Sequence, residues 1–135
     1  MARLIDSSIW VDFTRGKSPV GLKAFIRPWI LDPAAVLCEP IAFEVLRHAT
    51  DSERPKIEAQ FATLPLLPTP PLLWRDATAL GQKCRNHGIN LGSLDLLIAT
   101  LAIHHQAELV TFDAGFSQIA SVSSLHATVL ERPLP

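Results

Sequence analysis

The sequence predicts an α/β fold in which a short, mostly parallel central sheet is flanked by helices. Three observations predict it. Short apolar runs of strand length recur at Arg3–Ile5, Ala35–Cys38, Leu109–Phe112 and Ala127–Leu130. Stretches with helical apolar spacing separate these runs, and strands that alternate with helices build parallel units. The 135 residues suit a single domain spanning 1–135, with no repeat, low-complexity tract or linker.

Each element has its own local signal. The Arg3-Leu4-Ile5 run ends in Asp6-Ser7-Ser8, a helix-start signal, and Ile9-Trp10-Val11 continues as helix. Gly16 to Pro19 breaks that pattern. A second helix over Val20 to Ile30 carries Leu22, Phe25, Ile26 and Trp29 at helical spacing. The Asp32-Pro33 turn leads into the Ala35–Cys38 strand. Pro40 suits a first helical turn, where its missing N–H costs nothing, and the helix runs from about Ile41 to Ala49. Another helix is expected over Ser52 to Leu64, and a brief strand at Leu66-Leu67 between prolines. Leu72 to Asn86 reads as helix, stopped by His87-Gly88. Ser93 is the expected cap of a helix over Leu94 to His105, with Leu94, Leu97, Ile98 and Leu101 on its apolar face. A short helix over Ala114 to Ala120 follows the third strand.

Composition narrows the function classes. A net charge of −1 lacks the globally basic footprint of a dedicated DNA-binding domain, so contact with nucleic acid has to be local. The 48% hydrophobic content exceeds what so small a core absorbs, and implies an oligomer or a lasting complex with another chain. Cys38 and Cys84 lie far apart in apolar stretches, as buried thiols do, which suits a reducing cytoplasm. Asp6 stands where a signal peptide would still be apolar, and no apolar run approaches the ~18 residues that span a bilayer. No Walker loop, GxSxG or HExxH occurs.

The acids carry the chemistry. Ligands bind outside the carboxyl ends of the strands of an open parallel sheet. Asp6 and Asp113 each follow a strand directly. Glu44 falls in the second turn of the helix after the second strand, and Asp95 in the first turn of the helix leading to the third. Four carboxylates from separate segments can therefore meet at one sheet edge. Together they repel one another, and a hard cation, Mg²⁺ or Mn²⁺, relieves that repulsion. Such an ion polarises a phosphoryl oxygen and activates water, which is nuclease chemistry. Structural readings stand beside this one. Asp6 and Asp113 suit N-caps, Asp95 complements a helix dipole, and Glu44 pairs with Arg47 across one turn. Glu39, at the strand end itself, is the rival to Glu44. Trp10, Trp29 and Trp74 read as core or interface residues, and His104 and His105 as a helix terminus. Asp12 is a candidate for the crevice wall; Arg15, Lys17, Lys23, Arg27, Lys83 and Arg85 are scattered cations.

The stretches LIDSSIWVDF, PIAFEVLRH, SLDLLIATLAIHH and ELVTFDAGF, in this order and spacing, resemble the PIN-domain ribonucleases, among them the VapC-type toxins of bacterial toxin–antitoxin pairs. The resemblance covers essentially the whole chain. It implies a PIN-like three-layer fold with four to five strands, and Asp6, Glu44, Asp95 and Asp113 as the metal-binding acids. It also implies that Ser7 and Ser8 cap the first helix and orient Asp6, that Thr111 braces Asp113, and that Arg47 pairs with a carboxylate or a phosphate. Mg²⁺ or Mn²⁺, RNA as substrate, homodimerisation and a cognate antitoxin follow from the same likeness. Two positions depart from the family pattern: His48 stands where a Gly is frequent, and Gly115 where a second acid is frequent. The site expected is thus Asp6, Asp95 and Glu44, with Asp113 in support. The alternative is a PIN-like module that binds RNA or protein without cutting. A phosphatase or receiver-type domain with a phosphorylated aspartate is rejected, because Ser8 stands where the former needs a second acid and no lysine follows Lys83 for the latter.

Overall fold

The computed structural model describes residues 1–134. In chain order the elements are β1 (Arg3–Ile5), α1 (Ser7–Thr14), α2 (Val20–Ile30), β2 (Ala35–Val36), α3 (Glu39–His48) and α4 (Arg54–Phe61), then α5 (Leu73–Asn86), α6 (Ser93–His104), β3 (Glu108–Thr111), α7 (Gly115–Ser121) and β4 (His126–Val129). The sheet has the order β2-β1-β3-β4. Every pairing in it is parallel, with Leu4 beside both Val36 and Leu109, and Thr111 beside Val129. The expected α/β class and parallel sheet are both present.

The sheet interior is apolar because helices flank it. Leu4, Ile5, Leu109 and Val110 on the central strands are fully buried. The third helix-to-sheet unit behaves differently from its sequence pattern. Helix α6 packs on α3, α5, α7 and β3. Its buried residues Ile98 to Ala102 run in an unbroken series, wider than the single face expected. Trp10 is fully buried, edge-on to Phe61 at 5.0 Å. Trp29 lies under the Arg3 guanidinium at 5.7 Å, whereas Trp74 is 73% exposed. Cys38 and Cys84 are free, buried thiols, and burial pushes Cys38 up to about 12.

Three local expectations are corrected. The Leu66-Leu67 strand is a single parallel bridge between Leu37 and Leu66. Leu37 N–H donates to Pro65 and Leu67 N–H to Leu37, but flanking Pro65 and Pro68 carry no N–H to extend the ladder. The helix expected from Ser52 begins at Arg54. Ahead of it Thr50 and Glu53 cap one another: Glu53 N–H donates to Thr50 Oγ1 at 3.2 Å, and Thr50 N–H to Glu53 Oε1 at 3.0 Å. Ser93 is the first residue of α6 and not its cap; Gly92, in extended backbone, holds the cap position.

Candidate active site

Asp6 occupies the joint between β1 and α1. Its N–H donates to Val110 O at 2.9 Å, closing the strand pairing, and its carbonyl accepts from Ile9 and Trp10, opening the helix. The main chain thus fills the cap position, while the carboxylate makes no cap bond. Ser7 and Ser8 correspondingly lie inside α1 and cap nothing.

Their hydroxyls turn to the acids instead. Ser8 Oγ donates to Asp6 Oδ2 at 2.8 Å and accepts from Phe112 N–H at 3.1 Å. Thr111 Oγ1 donates to the same oxygen at 2.7 Å and accepts from Asp113 N–H at 2.9 Å. Two hydroxyls, each polarised by a backbone N–H, therefore hold one carboxylate oxygen. Ser7 Oγ donates to Glu44 Oε1 and lies 3.5 Å from Asp6 Oδ1, so it links the two acids. Thr111, fully buried, braces both Asp6 and the backbone of Asp113. Thr111→Val is expected to cost about 1–3 kcal/mol in urea unfolding, since it leaves the Asp113 N–H without its acceptor and takes one of two hydroxyl donors from the buried Asp6 carboxylate.

Asp6, Glu44, Asp95 and Asp113 line one cleft of ≈ 420 Å³, together with Ser7, Ser8, Val11, Asp12, Arg15, His48 and Arg132. The cleft sits at the carboxyl ends of β1 and β3. A larger hollow of ≈ 540 Å³ lies at the opposite end of the sheet, against Ala2, Ala107 and His126, and no acid lines it.

The electrostatics match the convergence. Burial, and after it the charges of Asp6, Asp113 and Glu44, raise the Asp95 carboxyl to about 6. Asp6 is only 3% exposed, and burial raises it despite the Thr111 and Ser8 hydroxyls. Asp113 is exposed, and one of its oxygens accepts Gly115 N–H at 2.8 Å, so part of its role is to shape the turn into α7. Among the described residues, no three His, Cys, Asp or Glu side chains are drawn tightly enough together to form a ready-made metal shell. The donors nevertheless suit a hard divalent cation, being carboxylates that repel one another across a shared cleft.

One residue falls elsewhere than expected. Arg47 is exposed, its guanidinium 6.0 Å over the Phe43 ring, and it does not line the cleft; no Glu44–Arg47 pair forms among the described residues. His48 takes the place facing the acids, because i and i+4 share a helix face more closely than i and i+3. Glu39 is exposed at the start of α3 and does not line the cleft, whereas Glu44 does. Asp12 and Arg15 do line it. Arg132 escaped sequence reading entirely, for it lies in a proline-flanked tail with no periodicity.

Gly115, where a second acid is frequent in PIN domains, is sterically reserved. A Cβ there would stand 2.9 Å from Leu91 Cδ2 and 3.1 Å from Asp113 Oδ1. Gly115→Ala is expected to lower stability by about 1 kcal/mol in a thermal melt, and Leu91→Ala to relieve most of that loss.

The PIN-domain family model matches residues 3–122. The chain belongs to the PIN-domain family. This PIN domain is 35% identical over 129 residues to VapC ribonuclease Mb1587 of Mycobacterium bovis, covering 92% of this chain and 96% of that protein. The same identity and coverage hold for ribonuclease VapC11 of Mycobacterium tuberculosis. Among solved structures, the PIN domain superposes on a chain of Rickettsia felis VapBC2 bound to a promoter DNA fragment with a TM-score of 0.76, at 17% identity, over 97% of this chain and 100% of that one. A chain of DNA-bound VapBC from Salmonella typhimurium gives 0.74 at 13% identity, over 96% and 98% of the two chains. At such identities these likenesses establish the fold.

Proposed function

We propose that this PIN domain, a single domain over residues 1–135, is a metal-dependent endoribonuclease acting as the toxin of a toxin–antitoxin pair. One observation carries the proposal: carboxylates from four separate segments line one cleft at the strand ends, where burial and the charges of the other three raise Asp95. The named ribonuclease relatives support the substrate class. Asp6, Glu44, Asp95 and Asp113 would hold Mg²⁺ or Mn²⁺, which supplies neutralising charge for a phosphodiester and acidifies the attacking water.

The chain's own residues prepare that chemistry. Ser8 and Thr111 fix one Asp6 oxygen and leave the other beside Ser7. Ser7 sets the orientation of Glu44. Without a cation, the Asp95 carboxyl holds a proton up to about pH 6, which tempers the repulsion. The cleft walls carry Arg15 and Arg132 as counter-charges for an incoming phosphate.

A cytoplasmic setting is supported by the two free buried thiols. No helix among the described residues is long and apolar enough to cross a membrane. Homodimerisation and a cognate antitoxin are supported by exposed apolar residues, among them Phe43 at 56%, Leu66 at 50% and Trp74 at 73%. Structures that share the fold include a toxin–antitoxin complex from Klebsiella pneumoniae and VapBC-5, of the VapBC family of toxin–antitoxin systems, from Mycobacterium tuberculosis. Light scattering of the purified chain, alone and after co-expression with a neighbouring small reading frame, tests both assemblies. The test of activity is cleavage mapping on total cellular RNA, with and without divalent metal; discrete, metal-dependent cuts are expected. The second reading, a binding module without nuclease activity, rests on Gly115 in place of a second acid. It predicts RNA binding with no cuts at any metal concentration.

A further inference from the structure

We propose that Arg132 is a substrate-binding residue that grips an RNA phosphate at the mouth of the acidic cleft, with Asp12 as its positioning residue. The inference rests on the ribonuclease reading above. Leu130 N–H donates to Thr111 O at 2.8 Å, which carries the parallel pairing one residue beyond β4. The chain is thereby pinned at the carboxyl edge of β3, and Arg132, two residues on, lines the cleft of Asp6, Glu44, Asp95 and Asp113.

Its guanidinium is held on one side only. Nε donates to Asp12 Oδ2 at 2.7 Å, and the guanidinium carbon stands 4.5 Å from the Phe112 ring centre. Neither Nη group donates to a protein acceptor among the described residues. Asp12 is a fixed partner, its side chain 16% exposed on α1, while the Arg132 side chain is 52% exposed. An ion pair of that exposure does little for folding. What it does accomplish is to fix a planar fork beside the acids, its guanidinium over the Phe112 ring and its Nη edge unpaired. Such a fork matches the paired oxygens of a phosphodiester.

The charge balance of the cleft calls for such a group. Five carboxylates line it, from Asp6, Asp12, Glu44, Asp95 and Asp113, against the two guanidinium groups of Arg15 and Arg132. A polyanion approaching this edge meets net negative charge that one divalent ion does not wholly offset. Arg15, on an exposed stretch after α1, has no ion-pair partner or ring to fix it among the described residues. Arg132 is the cation whose position is set before substrate arrives.

The test uses the full chain carrying Asp95→Asn, which separates binding from cleavage, and a fluorescein-labelled single-stranded oligoribonucleotide in Mg²⁺. Adding Arg132→Met, which keeps an unbranched side chain but removes the charge, is expected to weaken binding about tenfold, and to reduce the slope of log affinity against log salt by about 0.7, one phosphate contact. Arg132→Lys is expected to restore the slope but only part of the affinity. Asp12→Asn is expected to weaken binding with the slope retained, since the charge stays but its aim is lost. In the cleaving protein, Arg132→Met should act on KM more than on kcat. Equal affinity and equal slope for Arg132→Met and its parent overturn the proposal. If that happens while Asp6→Asn abolishes cleavage, the arginine assignment alone fails; if Asp6→Asn cuts like wild type, the active-site reading fails whatever Arg132 does.

Discussion

Asp6→Asn is expected to reduce RNA cleavage by at least ~10²-fold while the protein stays folded, and Asp95→Asn to do the same. Each change removes one negative charge and leaves the shape of the side chain intact. At Asp6 the amide oxygen can keep the Ser8 and Thr111 hydroxyls that now meet Oδ2, with the NH₂ turned to the Ser7 side. Burial already disfavours the charge at Asp6, so the metal-free variant should melt no lower than wild type. Glu39→Gln, on the exposed start of α3, is the matched control and should cut normally. The measurement is cleavage of cellular RNA under Mn²⁺ and Mg²⁺, with circular dichroism on the same samples. Wild-type cutting by both acid variants would mean that the reacting centre lies elsewhere.

The second large effect is on stability. In EDTA the protein is expected to lose stability as pH rises from about 4 to above 6. The Asp95 carboxyl is raised from 3.8 to about 6, so the folded state keeps a proton that the unfolded chain has already released. Its contribution is therefore fully present below the unfolded value and lost as pH climbs through the folded one. Asp6 shifts in the same direction. A bound divalent ion should reverse the trend above pH 6, since it takes the place of the proton among the carboxylates. At a hundredfold excess over Kd the ion adds about 2.7 kcal/mol, a rise in Tm on the order of 10 °C for a domain of this size. Asp95→Asn should flatten the pH dependence in EDTA and blunt the response to metal. Melts that rise with pH in wild type, or that ignore Mn²⁺ at pH 7.5, would contradict the electrostatic account of the cleft.

Much of this architecture was legible because it follows from local patterning. The helix over Val20–Ile30 appears with the bounds its apolar spacing implies, and Pro40 sits in the first turn of α3 as its missing N–H requires. Asp6 and Asp113 were recognisable as strand-end acids because a short apolar run simply stops before each. The misreadings share a cause. Ser7, Ser8 and Ser93 are residue types that cap helices, yet Asp6 and Gly92 hold the cap positions. Freed from the backbone, the hydroxyls of Ser7 and Ser8 serve the carboxylates. The choice between those uses depends on which acceptor lies nearby in space, and chain order does not encode that.

The amino-acid sequence by itself determined the α/β class and the parallel sheet, and put Asp6 and Asp113 at strand ends, because periodicity, breakers and strand ends act over a few residues. Only the tertiary structure decided which side chains meet. It set His48 in the cleft and Arg47 outside it, joined Thr111 to Asp6 across 105 positions, and brought Arg132 to Asp12 across 120. The last two follow from parallel pairing of β1, β3 and β4, which lays distant strand ends side by side. The meeting of Asp6, Glu44, Asp95 and Asp113 in one cleft, which carries the charge repulsion, was decided at the same level.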